Sequence, residues 1–272
     1  MNKVIVILGP TAVGKTKMSV ELAKKLDGEI INADSTQVFK ELNIATAKIK
    51  EEEKDNIVHH LFDIKDINAD YTVYDYQKDC RNCIDNILSR KKTPILVGGT
   101  GLYIKAALYN YEFDDFIKKN DYSMYSDDEL YDKLLEIDPN TEIHKNNRKR
   151  VEHALDYYEA TGKIIGKIKS DKLLYDTIFI GLTTSRDYLY ERINSRVDVM
   201  VNDGLLEEAK RIYDSNIRTK AIMTPIGYKE LFPYFDKEKD YKWNVSNNAK
   251  NEKPQFSDWA ISIYDILFKS VD

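Results

Sequence analysis

Apolar and polar positions along this chain alternate between two periods. Val4-Ile5-Val6-Ile7-Leu8 is an unbroken, mostly β-branched run, the pattern of a central parallel strand covered on both faces. From Thr16 to Leu26 the period changes: Met18, Leu22 and Leu26 recur at helical spacing beside Ser19 and Ala23. Glu29–Ala33, Pro94–Val97 and Thr177–Leu182 repeat the strand signal, and Tyr74–Leu88 carries Tyr76, Cys80, Ile84 and Leu88 on one helical stripe. Strands alternating with helices predict an α/β fold, a parallel sheet with helices on both faces.

Between the third and fourth predicted strands lies a stretch far longer than a crossover needs. Glu112 to Asp138 is acidic and tyrosine-rich, whereas eight basic residues outnumber four acidic ones between Lys145 and Lys172. Val151, Leu155 and Tyr158 stand at helical spacing. The expected organisation is therefore a core of residues 1–110 and 176–272, with a helical insertion domain at 111–175.

The residues after the first strand narrow the chemistry. Gly9-Pro10-Thr11-Ala12-Val13-Gly14-Lys15-Thr16 fits the phosphate-loop pattern in full, between a strand and a helix. Its glycines let successive backbone N–H groups turn inward on phosphate oxygens, and the following helix adds its positive N-terminal end. Lys15 supplies a point charge and Thr16 a hydroxyl for Mg²⁺. These positions make the fold P-loop NTPase-like and predict a bound diphosphate or polyphosphate.

A hydrolytic motor or switch would end a later strand in an acid that holds Mg²⁺. Here the third predicted strand runs into Gly98-Gly99-Thr100 and the fourth into Gly181-Leu182-Thr183. The acid stands instead after the second strand, as Asp34-Ser35. In a doubly wound sheet that place opens on the crevice at the carboxyl ends of the strands. A carboxylate there can take a proton from an acceptor OH or NH, which argues for group transfer; the plainer reading of Asp34 is a helix cap.

Composition narrows the classes further. With 42% hydrophobic and 32% charged residues, and no apolar run near the ~20 residues that cross a bilayer, the chain is expected in the cytoplasm, as a monomer and without membrane contact. The net charge of −5 does not suggest a nucleic-acid binder, so any such role must rest on local patches. Cys80 and Cys83 form a lone C-x2-C without a second ligand pair, and read as reduced thiols on a helix.

A longer series of motifs now comes into view: GPTAVGKT (9–16), NADSTQVFKELNIATAK (32–48), HHLFDI (59–64), LVGGTGLYIKA (96–106), IHKNNRKRVEHALDYYEATGK (143–163), SRDYLYERINSRVDVMVNDGLLEEAKRIY (185–213) and IGYKEL (226–231). In this order they resemble the tRNA dimethylallyltransferase family. That resemblance implies transfer of a dimethylallyl group from dimethylallyl diphosphate to the exocyclic amine of the adenine just 3′ of a tRNA anticodon. It implies that the phosphate loop, Gly9 to Thr16, holds the diphosphate, with Mg²⁺ on Thr16. Asp34 would be the base, with Ser35, Thr36 and Gln37 lining the adenine pocket. Thr100 would contact the RNA or the leaving group, and Arg186 would reach the diphosphate. Arg148 and Arg150 would hold the anticodon stem-loop through phosphates.

Arg192 and Arg196 are as consistent with surface ion pairs, and His59 and His60 with a structural role. The chain departs from the family pattern at Ala45, at His153 and over Lys237–Asp272, where Lys253–Trp259 stands in place of a basic motif. That departure implies a weaker grip on tRNA. Three other readings remain open: prenyl transfer to free adenine nucleotides, a small-molecule P-loop kinase, and a tRNA-binding protein without catalysis.

Overall fold

The computed structural model describes residues 3–111, 120–164 and 172–237. Residues 112–119 at the start of the acidic stretch, the basic residues Lys167 and Lys169, and the divergent stretch 238–272 lie outside the described residues. In chain order the elements are β1 (Lys3–Leu8), α1 (Lys15–Leu26), β2 (Gly28–Asn32), α2 (Glu51–Lys54), β3 (His59–His60), α3 (Val73–Ser89), β4 (Thr93–Gly98), α4 (Gly101–Leu108), α5 (Asp127–Ile137), α6 (Arg148–Thr161), β5 (Asp176–Gly181), α7 (Arg186–Asn202), α8 (Leu205–Asp214), α9 (Lys220–Met223) and α10 (Phe232–Phe235).

All strand pairs are parallel, and the sheet order is β3-β2-β4-β1-β5. β4 is the middle strand, and β1 lies inside the sheet between β4 and β5, where its apolar run satisfies both faces. Val4, Val6 and Leu8 pack with Tyr76, Cys80, Ile84 and Ile87 of α3 and with α4. Ile5 and Ile7 pack on the other face with Val20 and Ala23 of α1. A third cluster joins Leu205, Ala209 and Ile212 of α8 to Val38, Phe39 and Leu42. The helices on both faces follow from alternate residues of each strand pointing to opposite sides.

Local chemistry sets the helix starts. The Thr72 hydroxyl accepts the Asp75 N–H at 3.2 Å while Asp75 returns a bond to the Thr72 N–H, a reciprocal cap for α3. The thiol stripe of α3 is buried: Cys80 is inaccessible, burial pushes its thiol up to about 12, and it packs as a small apolar group. Both cysteines are free. No helix among the described residues is long and apolar enough to cross a membrane.

Two compact units emerge, Met1–Tyr109 with Leu173–Asp272, and Asn110–Lys172. The boundary falls at Tyr109 and Leu173 because these residues pair as an antiparallel bridge, with Leu174 N–H bonded to the Leu108 carbonyl. In the smaller unit, α5 and α6 bury Leu130, Leu134, Val151, Ala154 and Leu155 against Tyr122. Arg148 staples this unit: its guanidinium donates to the Tyr122 and Tyr125 carbonyls, to Asp127 and to Glu152. Arg150, two residues on, is exposed.

Candidate active site

The loop after β1 is shaped by Gly14, which takes φ 101° at the N-cap of α1, a left-handed conformation that side chains rarely adopt. The Lys15 ammonium lies over the loop and donates to the Gly9 and Pro10 carbonyls, each at 2.8 Å. Desolvation pulls its amine down to about 8; the Asp34 carboxylate opposes that shift and Arg196 adds to it. Those three charges therefore share one neighbourhood. Thr16 presents its side chain at the first turn of α1 and is exposed. Among the described residues no group of three His, Cys, Asp or Glu side chains can hold a metal ion. A magnesium ion fits this donor set only as a diphosphate-bound ion with one protein oxygen, that of Thr16, which is how Mg²⁺ is commonly held beside phosphates.

The turn after β2 is fixed from below. Asn32 is buried; its amide donates to the carbonyls of Leu61 at 3.0 Å and Asp34 at 3.1 Å and accepts the Asp34 N–H at 2.9 Å. Asp34 in turn accepts the Thr36 N–H at 2.9 Å and the Thr36 hydroxyl at 2.7 Å, both on Oδ1. That leaves Oδ2 as the oxygen available to a substrate. Thr100, at the N-cap of α4, accepts the Ser35 N–H at 3.2 Å. The two strand ends approach so closely that a Cβ on Gly98 would lie 2.2 Å from the Ala33 carbonyl oxygen, so only glycine fits there.

These elements surround a cavity of about 380 Å³. Gly9, Pro10, Thr11, Lys15 and Thr16 of the phosphate loop face it, as do Asp34 to Gln37 and Thr100. A second cavity, of about 1040 Å³, lies against Ala12 to Lys17 with Tyr188, Arg192 and Ser195. Lys15, Thr16 and Arg196 line both. Of the expected site residues, Arg186 sits exposed in the first turn of α7 and lines neither cavity. Arg196, on the same helix, donates to the Thr11 hydroxyl at 3.0 Å.

Two histidines separate here. His60 bonds Glu29 at 2.7 Å, within a cluster in which Arg90 grips the same buried carboxylate with two nitrogens. His59 lines the first cavity; its Nδ1 is 2.8 Å from the Ile57 carbonyl, its Nε2 is buried without a partner, and desolvation lowers its pKa. A neutral ring donating through Nδ1 leaves Nε2 an acceptor. Residues that sequence reasoning passed over, Phe62, Ile49 and the Thr224–Ile226 turn, also wall this cavity. Phe62 and Ile226 lie within the HHLFDI and IGYKEL motifs, whereas Ile49, Thr224 and Pro225 carry no local signal.

Comparison with known proteins bears directly on this arrangement. The sequence model of the IPP transferase family matches residues 37–257. The chain belongs to the IPP transferase family. A tRNA dimethylallyltransferase of Anoxybacillus flavithermus is 50% identical over 244 residues, covering 86% of this chain and 78% of the relative. The tRNA dimethylallyltransferase of Bacillus subtilis is 46% identical over 246 residues, with the same two coverages. Among solved structures, the tRNA isopentenylpyrophosphate transferase of Bacillus halodurans superposes with a TM-score of 0.76 at 40% identity, over 97% of this chain and 88% of that one. A eukaryotic dimethylallyltransferase, solved acting on tRNA, gives 0.87 at 30% identity over 99% of this chain and 71% of its own. As an IPP transferase, the chain is a prenyltransferase by family.

Proposed function

We propose that this chain transfers a dimethylallyl group from dimethylallyl diphosphate to N6 of the adenine 3′-adjacent to a tRNA anticodon. The observation that carries the reading is a single cavity in which a phosphate loop and the Asp34 carboxylate face each other. Phosphate-loop amides, Lys15 and Arg196 hold the diphosphate, and arginine suits a two-pronged grip on phosphate oxygens. Mg²⁺ beside Thr16 would supply further positive charge to the departing oxygens.

The adenine amine attacks the allylic carbon as the bond from that carbon to the diphosphate oxygen breaks, and the electron pair leaves with the diphosphate. The surplus amine proton passes to Asp34 Oδ2. Thr36 keeps Oδ1 occupied, so the carboxylate cannot rotate away, and Thr100 holds the Ser35 backbone beside it. Ser35 and Gln37 line the base pocket. The two cavities joined at Lys15, Thr16 and Arg196 support approach of the acceptor base on one side and the donor on the other. An adenine must leave its stack to enter.

The α5–α6 unit supplies exposed cations, Lys149 and Arg150 among them, for the phosphates of the anticodon stem-loop. The working unit in this reading is a monomer acting in the cytoplasm, where its tRNA acceptor would be met. Family membership and the presence of this unit weigh against transfer to free nucleotides and against a kinase.

Labelled dimethylallyl diphosphate, incubated with unmodified tRNA and Mg²⁺, is expected to place label in tRNA, and Asp34→Ala is expected to abolish it. A folded protein that binds tRNA and transfers nothing would refute the enzymatic reading.

A further inference from the structure

Glu208 lies in α8 between two exposed residues of the same helix, Glu207 and Lys210, yet is only 5% exposed itself. Its Oε1 accepts the backbone N–H of Ile44 at 2.9 Å and of Ala45 at 3.4 Å, and its Oε2 accepts that of Asn43 at 3.2 Å. The Tyr228 hydroxyl completes the set at 2.7 Å. All four donors are neutral. Burying a carboxylate against neutral donors alone is costly, and an apolar side chain could fill the same space without that penalty. What an apolar residue cannot do is fix four donors at once.

Those donors belong to two segments that both wall the substrate cavity. Asn43, Ile44 and Ala45 lead into Thr46 and Ala47, and Tyr228 follows Thr224, Pro225 and Ile226. The Thr46 carbonyl accepts the Gln37 Nε2 at 2.8 Å, which leaves the Gln37 carbonyl oxygen as its acceptor for a base edge. None of these contacts involves the phosphate loop or Arg196.

We propose that Glu208 is a positioning residue for the acceptor side of the cavity: from behind the wall, it ties the 43–47 loop and the 224–228 turn into one surface for the incoming base. The proposal rests on the prenyl-transfer reading above. It predicts a split between substrates, because the donor site hangs on other elements.

The test measures initial rates with tRNA and dimethylallyl diphosphate varied separately, on the full chain and on Glu208→Gln and Tyr228→Phe. In Glu208→Gln, kcat/KM for tRNA is expected to fall about tenfold, the loss of a hydrogen bond to a charged acceptor. The KM for dimethylallyl diphosphate should stay within about twofold of wild type. Tyr228→Phe should move the same parameter by about threefold, and it reads the split even if Glu208→Gln fails to fold. Parallel changes in both substrates' parameters, or a lower melting temperature with unchanged activity per folded molecule, would overturn the positioning role alone. A wild-type chain that transfers nothing would instead refute the reading beneath it and take this proposal with it.

Discussion

The Arg196 guanidinium meets the Thr11 hydroxyl at 3.0 Å, so a residue well inside α7 closes over the phosphate loop. From there it can neutralise charge on a departing diphosphate. Arg196→Ala should lower kcat/KM for dimethylallyl diphosphate by about a hundredfold, the scale of losing one electrostatic contact to the leaving group. Arg196→Lys should restore only part of it, since lysine lacks the fork. Arg186→Ala, made alongside, should fall far short of Arg196→Ala in steady-state kinetics.

Lys15 sets a pH limit on donor binding. Its amine titrates at about 8 in the folded chain against 10.5 when unperturbed, with desolvation the main cause. Above that value the loop loses its ammonium, so the KM for dimethylallyl diphosphate should climb as pH rises through 8. The stability effect runs the other way. Between about 8 and 10.5 the unfolded chain binds more protons than the native one, so native stability gains as pH rises through that window. Lys15→Met should flatten both trends, as read by pH-dependent kinetics and by denaturant melts.

Thr36 locks Asp34 through a hydroxyl bond at 2.7 Å. Replacing it by valine keeps the volume and the backbone N–H bond to Oδ1 at 2.9 Å but removes the hydroxyl bond, so the carboxylate is held more loosely. Thr36→Val should cut kcat by about tenfold, with tRNA affinity measured by filter binding little changed.

Glu29 is 2% exposed, and chiefly the Arg90 hydrogen bonds hold its carboxyl down to about 2. A carboxyl so depressed contributes stability that is fully present above pH 4.5 and is lost as pH falls through 2. Arg90→Ala should destabilise the fold at neutral pH and shift acid unfolding to higher pH, with His60 and Lys92 left as the partners of Glu29. Circular dichroism across an acid titration reads both.

Much of this was legible from local pattern. The strand at Val4–Leu8, the phosphate loop and the α3 stripe each announce themselves within a dozen residues, because period and turn chemistry are local properties. β3 was not legible: two histidines carry no strand period, and their pairing with Ile30 and Ile31 depends on the neighbouring strand. Arg186 and Arg196 of α7 show a different limit. They share one helix, ten residues apart at ~1.5 Å each, and only tertiary packing decides which end meets the loop. Glu208 carries no local signal for the same reason, since its donors lie more than 160 positions away in sequence or beyond the end of its helix.

The sheet order also dictates when this chain can finish folding. β1 is the first strand made, yet its partner β5 pairs Lys3 with Asp176 and Leu8 with Gly181. On the ribosome, β1 can dock early against β4, while the α5–α6 unit is still emerging and gathering its own small core. The outer edge of β1 then waits, unpaired, for a strand more than 170 residues behind it. Such distant pairing slows folding and lengthens the exposure of an apolar strand. Crowded synthesis should therefore be the stage at which this protein is most prone to aggregate, and a chaperone that shields β1 should raise its yield more than one acting after release.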